Sequence, residues 1–223
     1  VNRIRVEISG GNLRTAARAG KRFSFCFFAR RFLDVTCLEA YNLNLTIRSS
    51  IRQQNKTGGA GKMAIDKVRA YFRQYNMEDK IMEFEVSSAT VELAAIAVGV
   101  EGARICKTLS FKDGEDGCIL IQTAGDTKID NRKFKDTFGF KAKMLTADEV
   151  LAFTGHAVGG VCAFAIENPK VKIYCDDSMK RFETVFPACG SDNSAIELTC
   201  EELYQYSKAI GWIDVCKLPE VQA

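Results

Sequence analysis

ARICKTLSF, residues 103–111, has the alternation of a β-strand, with Ile105 and Leu109 on one face and Cys106 and Thr108 on the other. Lys107 interrupts it, on the face of Ile105 and Leu109. A strand lysine ordinarily lays its stem on apolar neighbours and keeps its ammonium in water. One drawn toward a core must be compensated, because burial disfavours the charged form. A cleft that receives an anion or a polarised carbonyl would supply that compensation. Periodicity leaves both readings of Lys107 open.

Outward from this stretch, the turn KDGEDG (112–117) joins it to a second strand, CILIQTA (118–124). IMEFEV (81–86), VKIYC (171–175) and SAIELT (194–199) also read as strands, and an apolar strand is expected after Gly159 and Gly160. Between them lie helical patterns. MAIDKVRAYFRQYN (63–76) places Ile65, Val68, Phe72 and Tyr75 on one face. SATVELAAIAVG (88–99) ends at Gly99, and DNRKFKDTFG (130–139) is a short basic helix ending at Gly139. TADEVLAFTG (146–155) has Thr146 and Glu149 at capping-box spacing, with Gly155 as its stop. TCEELYQYSKAIG (199–211) repeats this with Thr199, Glu202 and Gly211. The pattern predicts one α/β domain of the α+β kind, a mixed sheet with helices over residues 63–223.

The charge distribution sets this domain apart from what precedes it. The chain carries +3 overall, but residues 1–62 hold 12 Lys+Arg against 3 Asp+Glu, whereas residues 63–223 hold 19 against 25. The first segment has no sustained period and is expected to be a basic extension outside the fold. Arg30 and Arg31 cut FSFCFF (23–28) short of a secretory core. NKTGGAGK (55–62) is a flexible breaker, and Met63 follows it. No apolar run approaches the ~18 residues of a membrane span. None of the nine cysteines forms a Cys-x-x-Cys pair and there is one histidine, so no zinc pattern exists. The thiols read as reduced and buried, in a cytoplasmic protein without a metal or membrane partner.

Two glycine-bearing segments could carry chemistry with Lys107. In TGHAVGGVCAFAI (154–166), Gly159 and Gly160 let a backbone approach a ligand and aim amides at one oxygen, or simply make a tight connection. The loop lacks the spacing of a Walker A or a dinucleotide fingerprint. His156 and Cys162 in the same loop suggest a thiol with its base, although nearness in sequence need not mean contact. In FPACGSDNSAIELT (186–199), Gly190 and Ser191 could point amides and a hydroxyl at a ligand, or form only a loop.

In order, ICKTLSF, AGDTKID, TGHAVGGVCAF and ACGSDNSAIELT resemble the YbaK and prolyl-tRNA-synthetase-associated editing-domain family, over about residues 65–217. The resemblance implies a mixed, barrel-like β-sheet flanked by helices and hydrolysis of the ester of mischarged tRNA, of the Cys- or Ala-tRNA(Pro) type, without cofactor or metal. It implies that Lys107, Gly159, Gly160 and Ser191 are catalytic, and that Thr108, His156, Ala163 and Gly190 bind substrate. The departure is Ala163, where the family pattern has proline; alanine there frees φ and adds an N–H donor. The implied partners are the acceptor end of aminoacyl-tRNA and prolyl-tRNA synthetase. The alternative of the same fold is a non-catalytic module that binds aminoacyl-tRNA or a small ligand.

The domain's acidic balance is awkward for a tRNA binder. Lys128, Arg132, Lys133, Lys135, Lys141 and Lys143 crowd one stretch, diluted by Asp126, Asp130 and Asp136. That run reads either as a local phosphate-attracting patch or as a solvated helix face.

Overall fold

The computed structural model describes residues 62–219; the expected extension over residues 1–62 lies outside them except for Lys62. A helix over residues 62–73 (α1) leads to the short strand β1 (Met82–Glu83) and to α2 (Val91–Val98). Then come β2 (Ile105–Asp113), β3 (Gly117–Ala124), β4 (Lys128–Ile129), α3 (Asn131–Phe138) and α4 (Ala147–Thr154). The chain continues through β5 (Val171–Asp176), β6 (Thr184–Pro187), β7 (Ser194–Ala195), β8 (Leu198–Thr199), α5 (Cys200–Ser207), β9 (Gly211–Ile213) and β10 (Cys216–Lys217).

The hairpin predicted from residues 103–124 forms the centre of a six-stranded sheet ordered β8-β6-β2-β3-β5-β9. β2 runs antiparallel to β3 but parallel to β6, and β5 is parallel to both β3 and β9. The sheet is therefore mixed, and it curls into a half-barrel flanked by helices. One face carries the main core, where Ile65, Val68 and Phe72 of α1 bury as their spacing predicts. The opposite face carries two smaller clusters. One gathers Leu109, Phe111, Ile119 and Ile121 around Phe134 of α3, and the other packs Ile105 and Phe186 against Ala94 and Ala95 of α2. Each large apolar side chain so buried contributes about 1.5–3 kcal/mol.

Local chemistry sets most helix ends. Thr146–Glu149 and Thr199–Glu202 both close as capping boxes, and Gly99, Gly139 and Gly155 end their helices in the left-handed conformation. The end of α5 differs from expectation. Lys208 takes the left-handed cap at φ 52°, with its N–H directed to the carbonyls of Tyr204 and Gln205, and Gly211 instead opens β9.

Three strand expectations contract. IMEFEV contributes only Met82–Glu83, and SAIELT splits into β7 and β8 because each pairs with a different partner. The segment after Gly160 forms no strand. Cys162, Ala163 and Phe164 enter the main core as irregular chain, and Ala165 at φ 55° turns the backbone away from an extended path.

Candidate functional site

The site begins as a gap in the sheet. β6 pairs with β2 only through Ile105–Phe186 and Cys106–Pro187 and then diverges. On that edge β2 meets chain again at Phe111, which bridges Met144, while the Lys112 N–H donates to the Lys143 carbonyl. Between these two points lies a cleft of about 520 Å³, lined by Lys107, Thr108, Leu109 and Ser110 from β2. Ser88 to Val91, Gly159, Val161 and Ser194 close its other sides. Lys107 and Thr108 point to opposite faces of the sheet, so only an uncovered edge lets both reach one cavity.

Lys107 sits in the seam between the α2 and α3 clusters, on the face its alternation predicts. Its ammonium donates to the Thr127 carbonyl. Among the described residues it forms no ion pair, although the Asp126 and Glu92 carboxylates lie near enough to be felt electrostatically. Loss of hydration lowers its pKa from the usual lysine value, and the thiol of Cys216 and the charge of Asp126 oppose that shift. Here the ammonium is half-buried and under-compensated, facing a cleft. Thr108 adds a second unsatisfied group, since its buried Oγ1 has no hydrogen-bond partner among the described residues.

The glycine segments stack on one another. A Cβ on Gly160 would stand 2.6–2.8 Å from the backbone of Ser191, so only glycine permits the contact between the two turns. Gly159, at φ 99°, faces the cleft of Lys107, whereas Gly160, Gly190 and Ser191 line a neighbouring cleft of about 440 Å³. The exposed Val158 belongs to both cavities and forms the wall between them. The structure thus brings Lys107, Thr108 and Gly159 together and places Gly190 and Ser191 behind the loop. The Ser191 hydroxyl lies 2.7 Å from Ser194 Oγ and 2.9 Å from Asn193 Oδ1, which commits it to its own turn.

His156 and Cys162 do meet, but in the interior. His156 is 2% exposed, and its Nδ1 lies 3.2 Å from the Cys162 carbonyl oxygen and 3.6 Å from Cys162 Sγ. Burial pushes the Cys162 thiol up to about 12 and the His156 imidazole down to about 4. A protonated thiol beside a neutral, enclosed ring is a loop clamp and not an activated nucleophile. Ala163 is also buried, and it lines a groove with Tyr71, Phe153 and Ile166 on another side of the domain.

Seven free cysteines are described, six of them buried, and no group of three or more His, Cys, Asp or Glu among the described residues could hold a metal. No helix among those residues is long and apolar enough to cross a membrane. Sequence reasoning missed the Thr127 carbonyl that holds Lys107, because a backbone acceptor carries no residue signature. It also missed the clamp in which the Ser87 and Ser88 hydroxyls donate to Asp192, closing the cleft rim onto the 190–193 turn.

Residues 85–206 match the family model described as the aminoacyl-tRNA editing domain. The uncharacterized protein YwhH of Bacillus subtilis (strain 168) is 56% identical over 155 residues, which cover 70% of this chain and 98% of that protein. EbsC of Enterococcus faecalis, named as a candidate Cys-tRNA(Pro)/Cys-tRNA(Cys) deacylase, is 25% identical over 133 residues, 58% of this chain and 80% of EbsC. A crystal structure of a candidate trans-editing enzyme for prolyl tRNA synthetase superimposes with TM-score 0.62 at 28% identity, covering 69% of this chain and 97% of that one. With its fold and the greater part of its sequence matched in this way, the chain belongs to the aminoacyl-tRNA editing domain family.

Proposed function

We propose that this protein is an aminoacyl-tRNA deacylase that acts in trans on mischarged tRNA of the Cys- or Ala-tRNA(Pro) type, alongside prolyl-tRNA synthetase. The observation that carries the proposal is the half-buried Lys107 ammonium, free of any ion pair among the described residues, on the wall of a cleft faced by Gly159. The names of EbsC and of the superimposed enzyme support the substrate class.

An aminoacyl ester is already activated, so its hydrolysis needs placement and oxyanion stabilisation more than a strong nucleophile. Water, or the substrate's own thiol in a cysteinyl ester, adds to the carbonyl carbon and negative charge grows on its oxygen. Collapse of the adduct breaks the bond to the ribose oxygen, which leaves with a proton as a hydroxyl. Lys107 meets the developing charge or the terminal phosphate, and the Gly159 backbone walls the carbonyl. Thr108 Oγ1, shut off from solvent at rest, supplies a hydrogen bond only once the cleft adjusts around the substrate. Gly160, Gly190 and Ser191 hold the loop that carries Gly159. Selectivity comes from cleft volume, where one methylene is worth about 1–3 kcal/mol.

The test is Lys107→Ala assayed on Cys-, Ala- and Pro-charged tRNA(Pro). Removal of one charge-stabilising group is expected to cost about a hundredfold or more in rate, with the unfolding midpoint retained. Near-normal turnover removes Lys107 from the mechanism. A wild-type protein that accelerates release from none of the three is a binding module and not a deacylase.

A further inference from the structure

Beside Lys107 lies a second, smaller depression of about 340 Å³, to which the glycine loop contributes no lining residue. It adjoins the cleft, sharing Lys107, Leu109 and Met144 with it as a common wall, and Thr127–Ile129 and Ala142 complete its lining. We infer that this groove is the track along which the single-stranded 3′ end of the RNA reaches the cleft, its phosphates held by Lys128, Lys141 and Lys143. The inference rests on the deacylase reading for what the RNA delivers, but the groove's affinity for RNA is separately measurable.

Charge carries the argument. In sequence, the basic run over residues 128–143 is diluted by three acids, and the fold diverts all three. Arg181 takes Asp126 through both guanidinium nitrogens, Asp130 caps α3 and pairs with Lys217, and Asp136 faces Arg132. Lys133 is taken as well, by Asp214. Of that run Lys128, Lys135, Lys141 and Lys143 are left exposed and without an ion pair among the described residues. Lys62, Lys67, Lys80 and Lys208 elsewhere are unpaired as well, so it is the crowding of four free cations into one stretch that sets this surface apart. Lys128 lines the groove itself, and Lys141 and Lys143, outside its lining, are the chain neighbours of the lining residue Ala142. A domain with an excess of acidic residues therefore keeps one unneutralised exposed cation on the groove wall and two more one residue from it along the chain. The floor between them is apolar, with Ile129 and the exposed Met144 offering surface against which base faces can lie.

Lys128→Glu/Lys141→Glu/Lys143→Glu provides the test, with its unfolding midpoint measured to show that the fold survives. Fluorescence anisotropy would follow a labelled RNA hairpin ending in a 3′ single-stranded CCA. The triple variant should bind at least about tenfold more weakly, and the slope of log affinity against log salt should fall by about 2, as expected for three single-strand phosphate contacts. In parallel, deacylation of full-length charged tRNA should suffer at least about tenfold more than deacylation of the same amino acid on adenosine, which cannot reach the groove. Unchanged hairpin affinity and salt slope would overturn the groove, as would equal losses on the long and short substrates. A wild type inactive on both substrates would sink the deacylase reading alone, and the hairpin measurement would still decide the groove.

Discussion

The loop that carries Gly159 and Gly160 hangs on the one histidine of the chain, and acid should loosen it. The His156 ring is almost fully enclosed, with Nδ1 against the Cys162 backbone. Burial lowers its pKa from 6.5 to about 4; the bond to the Cys162 carbonyl works against that shift and the charge of Lys67 adds to it. In the unfolded chain the imidazole returns to its ordinary value. Between these two values the unfolded state holds a proton that the folded state lacks, so stability falls as pH drops through 6.5 and levels off below 4. The full displacement is worth about 3 kcal/mol, of which about 2 kcal/mol is lost between pH 7 and pH 5. Against a typical stability of about 5–15 kcal/mol this is a large share. Urea unfolding at pH 7 and pH 5 measures it directly, with His156→Gln as the comparison. Because no other histidine titrates in the window, the wild type should lose about 2 kcal/mol and the variant under about 0.5. Parallel losses in the two proteins would refute the placement of a neutral, buried imidazole in this loop.

Two further substitutions separate structural from chemical roles in the same segment. Gly160→Ala puts a methyl within 2.6 Å of the Ser191 backbone, so the loop must lift off the turn, at a cost of about 1–3 kcal/mol and most of the deacylation. Gly160 has no positive φ, so a fully stable and active variant would show that the two turns do not stack as described. Cys162→Ser should retain deacylation within about twofold, since a thiol held at about 12 supplies no thiolate at neutral pH. Abolished activity in a folded Cys162→Ser protein would restore a nucleophilic role to the sulfur.

What was legible in the sequence is what depends on near neighbours. The two capping boxes, the β2–β3 hairpin, and the face on which Lys107 falls are all set by spacings of a few residues, and each forms as those spacings predict. The α1 face of Ile65, Val68 and Phe72 belongs with them, because helical period alone assigns it. What was hidden depends on distant chain. The gap beside β2 exists because β6, some eighty residues later, pairs for two positions and leaves. The end of α5 at Lys208 was illegible for a different reason, since a lysine in the left-handed region has no signature and Gly211 three residues on looked like the obvious stop. His156 and Cys162 illustrate the converse error to guard against. The pair is in contact as its sequence proximity suggested, yet its burial removes the chemistry that proximity implied. Likewise the charge on residues 128–143 could not be judged from the run itself, because Arg181, Asp214 and Lys217, which neutralise parts of it, come from the far end of the domain.

The energetics of Lys107 bear on why such a residue would be kept. A side chain needed only to fill the seam between the α2 and α3 clusters would be apolar, extending Ile105 and Leu109 at no electrostatic cost. A lysine needed for the fold would gain most from a carboxylate, as Lys112 does from Glu149 and Lys172 from Asp113. Asp126 is a carboxylate whose charge reaches Lys107, but both its oxygens are occupied by Arg181. Lys107 is left with one carbonyl, a lowered pKa and an open cleft, an arrangement that costs stability until an anion arrives. The unpartnered Thr108 hydroxyl on the same two residues of strand has the same character. The ammonium's deficit would be relieved by a ligand that brings an anionic oxygen into the cleft, and an aminoacyl ester on a phosphate-bearing 3′ end carries one. The Thr108 hydroxyl, enclosed at rest, would gain a partner only if the cleft adjusts around that ligand.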